Sequence, residues 1–390
     1  MNSSFRPYLF CFMTGLFWFS QYTYVPVLSP YAQSLGASYK MVGIILGSYG
    51  LMQMLIRIPL GVWSDKLRKR KIFVILGVLF SIVSSLGVWF AQSVPSLLFF
   101  RTLSGISAST WVVFTVLFSS YFKGPEAPKA IGILNSFNFA GQMTAMFLGG
   151  IVAKSFGPEY SFLLGGIGGI FALALSFGIV ERQDVLRTPV SLKELLETIK
   201  DYNLLVVSFL AVLSQLLTYA TILGFTPIAA KQIGADSFQL GILTTLATLP
   251  SIFSSVLGGT VFLKKVGEKR TVALGFILTA LYCLSIPFTK QVELFYISQL
   301  VAGFGRGLVF SLLMGLSIKS IAFEKRATAM GFFQAVYGLG MFLGPMLVGF
   351  FGDSIGLDSS FFALTVVGAA GALISVLAIR EVKVTTESNK

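Results

Sequence analysis

Three arginines stand inside stretches of sequence that are otherwise apolar: Arg57, Arg101 and Arg306. A charge at mid-depth in hydrocarbon costs about 2.5 to 3.5 kcal/mol even on the gentlest scale, which makes each one a functional candidate by default. Arg306 is the clearest. About twelve residues separate it from either end of its apolar run, roughly 18 Å at 1.5 Å per residue, so its side chain is too short to reach an interface. It must face protein or a wet cavity, and Gly303, Gly305 and Gly307 beside it leave room for a backbone or a solute to come close. Both roles stay open: contact with a solute, or a structural bond to carbonyls. Arg101 lies in the outer part of its run, while Arg57, beside Pro59 and near a basic loop, reads as structural or headgroup-seeking. All sixteen Asp and Glu fall in loops or at the ends of apolar runs, and the chain has no His. Unpaired buried cations therefore favour an anionic or zwitterionic solute, since their desolvation is otherwise uncompensated. Proton coupling, if used, must rest on a helix-end acid such as Asp236 or Glu293, or the charge must ride on the solute itself.

A second set of candidates is polar or aromatic without charge: Gln21, Tyr22, Tyr24, Asn135, Asn138, Gln142, Gln215, Tyr219, Gln299, Gln334 and Tyr337. Each alone reads as a hydrogen bond between helices, and only the cluster suggests a cavity lining. Cys11 and Cys283 sit in apolar runs and supply neither a disulfide framework nor metal-ligand spacing. There is no nucleotide-binding loop, metal cluster or Ser/Cys–His pair, so neither an enzyme nor a cofactor is implied.

The elements that carry these residues follow from composition. With 390 residues, 55% of them hydrophobic and 12% charged, the chain has too few polar side chains to coat a soluble fold. A run of about 20 apolar residues crosses the hydrocarbon as one helix. Such runs lie near 7–34, 39–64, 72–91, 95–121, 129–154 and 160–180, then near 203–231, 236–263, 271–289, 294–320, 327–352 and 359–380. The fold class is thus all-α and integral to a membrane: a six-helix bundle over 1–180, a linker over 181–202 and a second bundle over 203–390. The first run is a retained span, because no small-residue cleavage site ends it. In the linker, Ser191 and Glu194 form a capping box ahead of Leu192, Leu195, Leu196 and Ile199, the pattern of a short helix on the membrane surface.

The net charge of +13 is a topology signal rather than a nucleic-acid footprint. With both ends cytoplasmic, that side collects 22 Lys and Arg and the opposite side four, Lys40, Lys154, Lys231 and Lys290. This bias places both termini in the cytoplasm, in a cell inner membrane. An offset of 198 or 199 residues aligns the halves: Gly132, Asn135, Gly141 and Gly150 fall on Gly331, Gln334, Gly340 and Gly349, and the strings beginning at Ser38 and Asp236 match in the same frame. Duplicated halves around a midplane site are the physical basis of alternating access.

The loop GVWSDKLRKRK from Gly61 to Lys71 and the string FFRTLSGISAS from Phe99 to Ser109 resemble the major facilitator superfamily, in particular its twelve-helix drug and metabolite efflux branch. The resemblance implies a secondary carrier of a small organic solute, exporting a drug or metabolite, with uptake or exchange of an organic anion as the alternative. A transporter-derived sensor or scaffold is the reading from another class. It further implies that Gly61, Asp65, Lys66, Lys69 and Arg70 form a gate, with Asp65 against the start of the eleventh helix near Lys325 and Arg326 in the outward-facing state. Three departures stand out: Arg68 where the family has Gly, Lys264 where an acid would stand in the second half, and Ala145–Met146 in place of the fifth helix's Gly–Pro, which appears instead as Gly344–Pro345. The expected partners are a small-molecule solute, membrane lipids and protons as one candidate coupling ion, with no nucleic acid, and the carrier acts as a monomer.

Overall fold

A computed structural model describes residues 5–67, 69–122, 127–181, 200–321 and 325–380, with the side chains of residues 5, 65, 127–130 and 327 outside the description. The linker helix expected around Ser191 and Glu194, together with Arg68, lies outside these ranges.

Twelve spans follow one another: α1 (Phe5–Tyr22, resuming as Val25–Ser34), α2 (Tyr39–Leu67), α3 (Arg70–Phe90), α4 (Val94–Ser109, then Trp111–Ser119), α5 (Ala127–Phe156) and α6 (Pro158–Phe177). The second set is α7 (Tyr202–Gln232), α8 (Ser237–Val266), α9 (Glu268–Phe288), α10 (Val292–Lys319), α11 (Arg326–Ile355) and α12 (Leu357–Ala378). Ten are long and apolar enough to cross a membrane by length and composition alone. The other two are α1, broken near Tyr24 ahead of Pro26, and α5, whose apolar run is diluted by Asn135, Asn138 and Gln142. The break in α1 has a counterpart in α7, where a π turn at Thr221–Phe225 precedes Pro227. In both, a proline that lacks an N–H and crowds the preceding turn accounts for the irregularity.

Packing repeats with the duplication. In the first half α1 lies on α5, α2 on α4 and α3 on α6; in the second α7 lies on α11, α8 on α10 and α9 on α12. Even the turn glycines correspond: Gly36 and Gly234, then Gly157 and Gly356, all hold φ between 88° and 113°, a left-handed conformation that side chains resist.

The halves meet through α2 on α11 and α5 on α8. A stripe on α2 follows a stripe on α11: a Cβ on Gly43 would run into the Pro345 carbonyl oxygen, one on Gly47 would stand 2.8 Å from that of Phe342, and one on Gly349 would collide with that of Tyr39. Further along, Gly338 approaches Met54, and Arg57 Nη1 donates to the Gln334 carbonyl at 3.3 Å. One turn beyond, a Cβ on Gly61 or Gly331 would meet no described residue within 4 Å. The α5–α8 contact behaves alike, with Gly150 against Gly241 and no described residue within 4 Å of a Cβ on Gly132. Among the described residues the two bundles are therefore closed over the face away from the termini and part toward the face that carries both ends.

Candidate solute site and gates

At 100° per residue Arg306 stands opposite Ile297 on α10, nine positions away. Ile297 is 60% exposed, as a lipid-facing side chain should be. Arg306 thus points inward, and it stays half-buried among buried neighbours Gly305, Gly307 and Leu308. Its guanidinium makes no hydrogen bond or ion pair with any described residue. Tyr22 from the first half and Tyr219 from the second lie near enough to interact with it electrostatically. A void of about 10 Å³, the size of one water, adjoins it beside Ser214, Thr218 and Thr279.

The other two arginines are engaged. Arg101, 5% exposed, donates from Nη1 to Ser104 Oγ at 3.1 Å and Tyr24 OH at 3.5 Å, and its guanidinium carbon lies 4.3 Å over the Tyr49 ring. Arg57 does not seek headgroups: it donates to Gln53 Oε1 within α2 and crosses to α11, where Tyr337 OH accepts at 3.0 Å. Only their Nε atoms are buried without a partner.

The uncharged candidates divide likewise. Gln21 Nε2 donates to Ser107 Oγ at 2.6 Å and Gln21 Oε1 accepts from Ser104 Oγ at 2.8 Å, tying α1 to α4 with Tyr24 in the same network. Gln299, wholly buried, donates to Tyr282 OH on α9 at 2.8 Å. Asn138 accepts from Gln142 Nε2 at 2.5 Å within α5. Asn135, Gln215, Gln334 and Tyr337 remain half-buried, and Tyr337 packs edge-on to Phe310 and Phe333. Tyr49 of α2 stacks on Tyr219 of α7 across the halves, with ring centroids 6.1 Å apart. Tyr49 and Trp18, which packs on Tyr22, escaped the sequence reading because an aromatic in an apolar run is indistinguishable there from lipid-facing bulk.

At the terminal face the Asp65 side chain is outside the description, so its gate contact is not observed. Lys66 and Lys69 are exposed; the Arg70 amide donates to Glu181 Oε1, and Lys325 occupies the N-cap position of α11. At the far face, contacts of two acids join the halves. Lys154 at the end of α5 pairs with Asp236 ahead of α8, Nζ to Oδ2 2.9 Å. Burial opposes ionisation of Asp236, but the Lys154 hydrogen bond and the Gln239 amide outweigh it and hold the carboxyl below its ordinary value. Near the end of α11, Asp353 accepts from the amides of Tyr39 at 2.9 Å and Lys40 at 3.0 Å. Beside the first contact a pocket of about 320 Å³ opens between Tyr31, Lys154, Lys231 and Leu240.

The sequence pattern of the Major Facilitator Superfamily matches residues 10–226 and again 207–390. The chain belongs to that superfamily. Among superfamily relatives, an uncharacterized MFS-type transporter of Methanocaldococcus jannaschii is 26% identical over 91% of this chain and 93% of that protein. The multi-drug resistance efflux pump PmrA of Streptococcus pneumoniae is 24% identical over 91% of both chains. The fold matches a bacterial homolog of the human lysosomal transporter Spinster, inward-facing and unoccupied, with a TM-score of 0.80, 16% identity and 97% of both chains covered. It also matches the nucleoside transporter NupG, with a TM-score of 0.78 at 13% identity over 98% of this chain and 100% of that one. Superfamily membership makes the chain a secondary transporter rather than an enzyme.

Proposed function

We propose that this carrier exports a small organic solute bearing a negative group, and that Arg306 binds that group between the halves. The observation that carries the reading is the contrast among the three arginines: Arg57 and Arg101 hold helices together, whereas Arg306 has no protein partner among the described residues. A half-buried, inward-facing cation left in that state is stabilised by a counter-charge that arrives with the solute. Tyr22 and Tyr219 flank the position, and a planar solute stacks well on such rings. Export is supported by kinship with an efflux pump along nearly the whole chain. The termini are cytoplasmic on the distribution of Lys and Arg, so the conformation described is inward-facing and ready to load from inside. The bodies that rock are residues 1–180 and 203–390.

Flux of radiolabelled carboxylates, amines and neutral drugs in proteoliposomes, with imposed proton and anion gradients, tests the reading. Carboxylates should move outward against a gradient, with protons or a counter-anion moving the other way. Arg306→Ala should abolish that flux while the protein still inserts and purifies as the parent does. Undiminished flux in the variant, or a preference for neutral drugs, would sink the anion site; uptake in place of export would overturn the direction alone.

A further inference from the structure

We propose that Asp353 is a positioning residue for alternating access: its carboxylate, carried by one half, caps the first turn of α2 in the other and so selects the conformation closed at the far face. The first amides of any helix have no partner within it, and an acceptor placed at the N-terminus satisfies them and favours the helix dipole. For α2 that acceptor comes from outside. Its local cap is modest, with Ser38 Oγ accepting from the Met41 amide at 3.3 Å, while Asp353 takes the Tyr39 and Lys40 amides through separate carboxylate oxygens. A cap shared between two bodies exists only while the bodies touch. Parting the halves at this face returns two amides and a carboxylate to water.

The local packing is shaped for that reach. Gly349 and Gly352 bring α11 onto Tyr39: a Cβ on the first would collide with the Tyr39 backbone oxygen, and one on the second would stand 3.1 Å from its side chain. Gln232 of α7 donates to the Tyr39 hydroxyl at 2.9 Å, so Tyr39 is held by a second element of the opposite half. The duplication supplies an internal control. Gly150 packs on the Ser237 carbonyl as Gly349 packs on that of Tyr39, and Lys154 occupies in α5 the place of Asp353 in α11. In that copy the helix carries its own cap, Asp236 with Gln239 in a capping box, and the incoming residue is a cation that pairs with the cap. Where α8 has a built-in acid α2 has Ser38, and the acid has moved across the interface to Asp353. Charge is complementary in both copies, with opposite polarity.

Distances between spin labels on the full chain in lipid nanodiscs test this, with Cys11 and Cys283 replaced by Ala. Labels at Gln92 and Lys290 report the far face, and labels at Leu67 and Val266 the terminal face. Asp353→Ala should shift the balance toward the far-face-open form by about threefold to thirtyfold, the range expected for loss of an N-cap, with longer Gln92–Lys290 and shorter Leu67–Val266 distances. Asp353→Asn, which keeps an acceptor oxygen, should retain most of the parent distribution. Lys40→Pro removes one donor that has no partner within the helix, and should shift the balance the same way should the alanine variant not be recovered folded. Unchanged distances in Asp353→Ala or Lys40→Pro, or an Asn variant as open as the Ala variant, would overturn the capping role.

Discussion

Arg101 and Arg306 are both arginines inside apolar runs and are opposite in circumstance, which separates stability from transport at single positions. Arg101 donates from Nη1 to Ser104 and Tyr24 and lays its face over Tyr49. Hydrogen bonds to a charged group contribute about 1.5 to 3 kcal/mol and a desolvated cation–π contact up to about 2 kcal/mol. Arg101→Ala should therefore lower the thermal unfolding midpoint by several degrees in a detergent melt. Arg306→Ala should leave that midpoint within a degree or raise it, because the substitution removes a half-buried charge without breaking a described bond. A fall in the Arg306 variant equal to that of Arg101 would make both structural.

At the scale of elements, the ends of helices do the work that the middles do not. The Asp236 carboxylate, held below its ordinary value of 3.8 by Lys154 and the α8 amides, contributes to far-face closure while it is ionised. For a depressed carboxyl that contribution is complete above the ordinary value and is lost as pH falls through the lowered one. The Gln92–Lys290 distance should thus be indifferent to this pair between about pH 5 and 8, and lengthen only below 3.8. Lys231 and Tyr296 also face Asp236. Opening between about pH 5 and 7 would point to a different acid. The breaks in α1 and α7 belong to this scale too: Ser29 on the resumed part of α1 donates at 2.7 Å to the Gly224 carbonyl in the π turn of α7, so an irregularity in one half is satisfied by the other.

For the whole molecule, the stripes of small residues on α2 and α11 pack closely toward the far face, and the contact ends, among the described residues, past Arg57 and Gln334. If the halves rock about that contact, tying the far face shut must stop turnover. Lys154→Cys with Asp236→Cys, joined by a short bis-maleimide in the background free of other cysteines, should reduce flux to that of empty liposomes, whereas each single variant treated alike retains it. Continued flux in the joined protein would remove the rocking reading.

Twelve spans, their register within a few residues and the duplication were all legible in the amino-acid order. Length of apolar run and backbone hydrogen-bond satisfaction in lipid leave almost no other solution, and a repeat is a one-dimensional property. Arg306 was legible as well, since depth in a helix is counted along the chain. Which polar residues serve the solute and which hold helices together depended on the third dimension. Gln21 and Gln299 read like Gln215 in sequence, and only packing shows that the first two are consumed by Ser104, Ser107 and Tyr282. Asp353 gives no signal in the sequence for the same reason: the amides it caps lie more than 300 residues away along the chain and about 3 Å away in space.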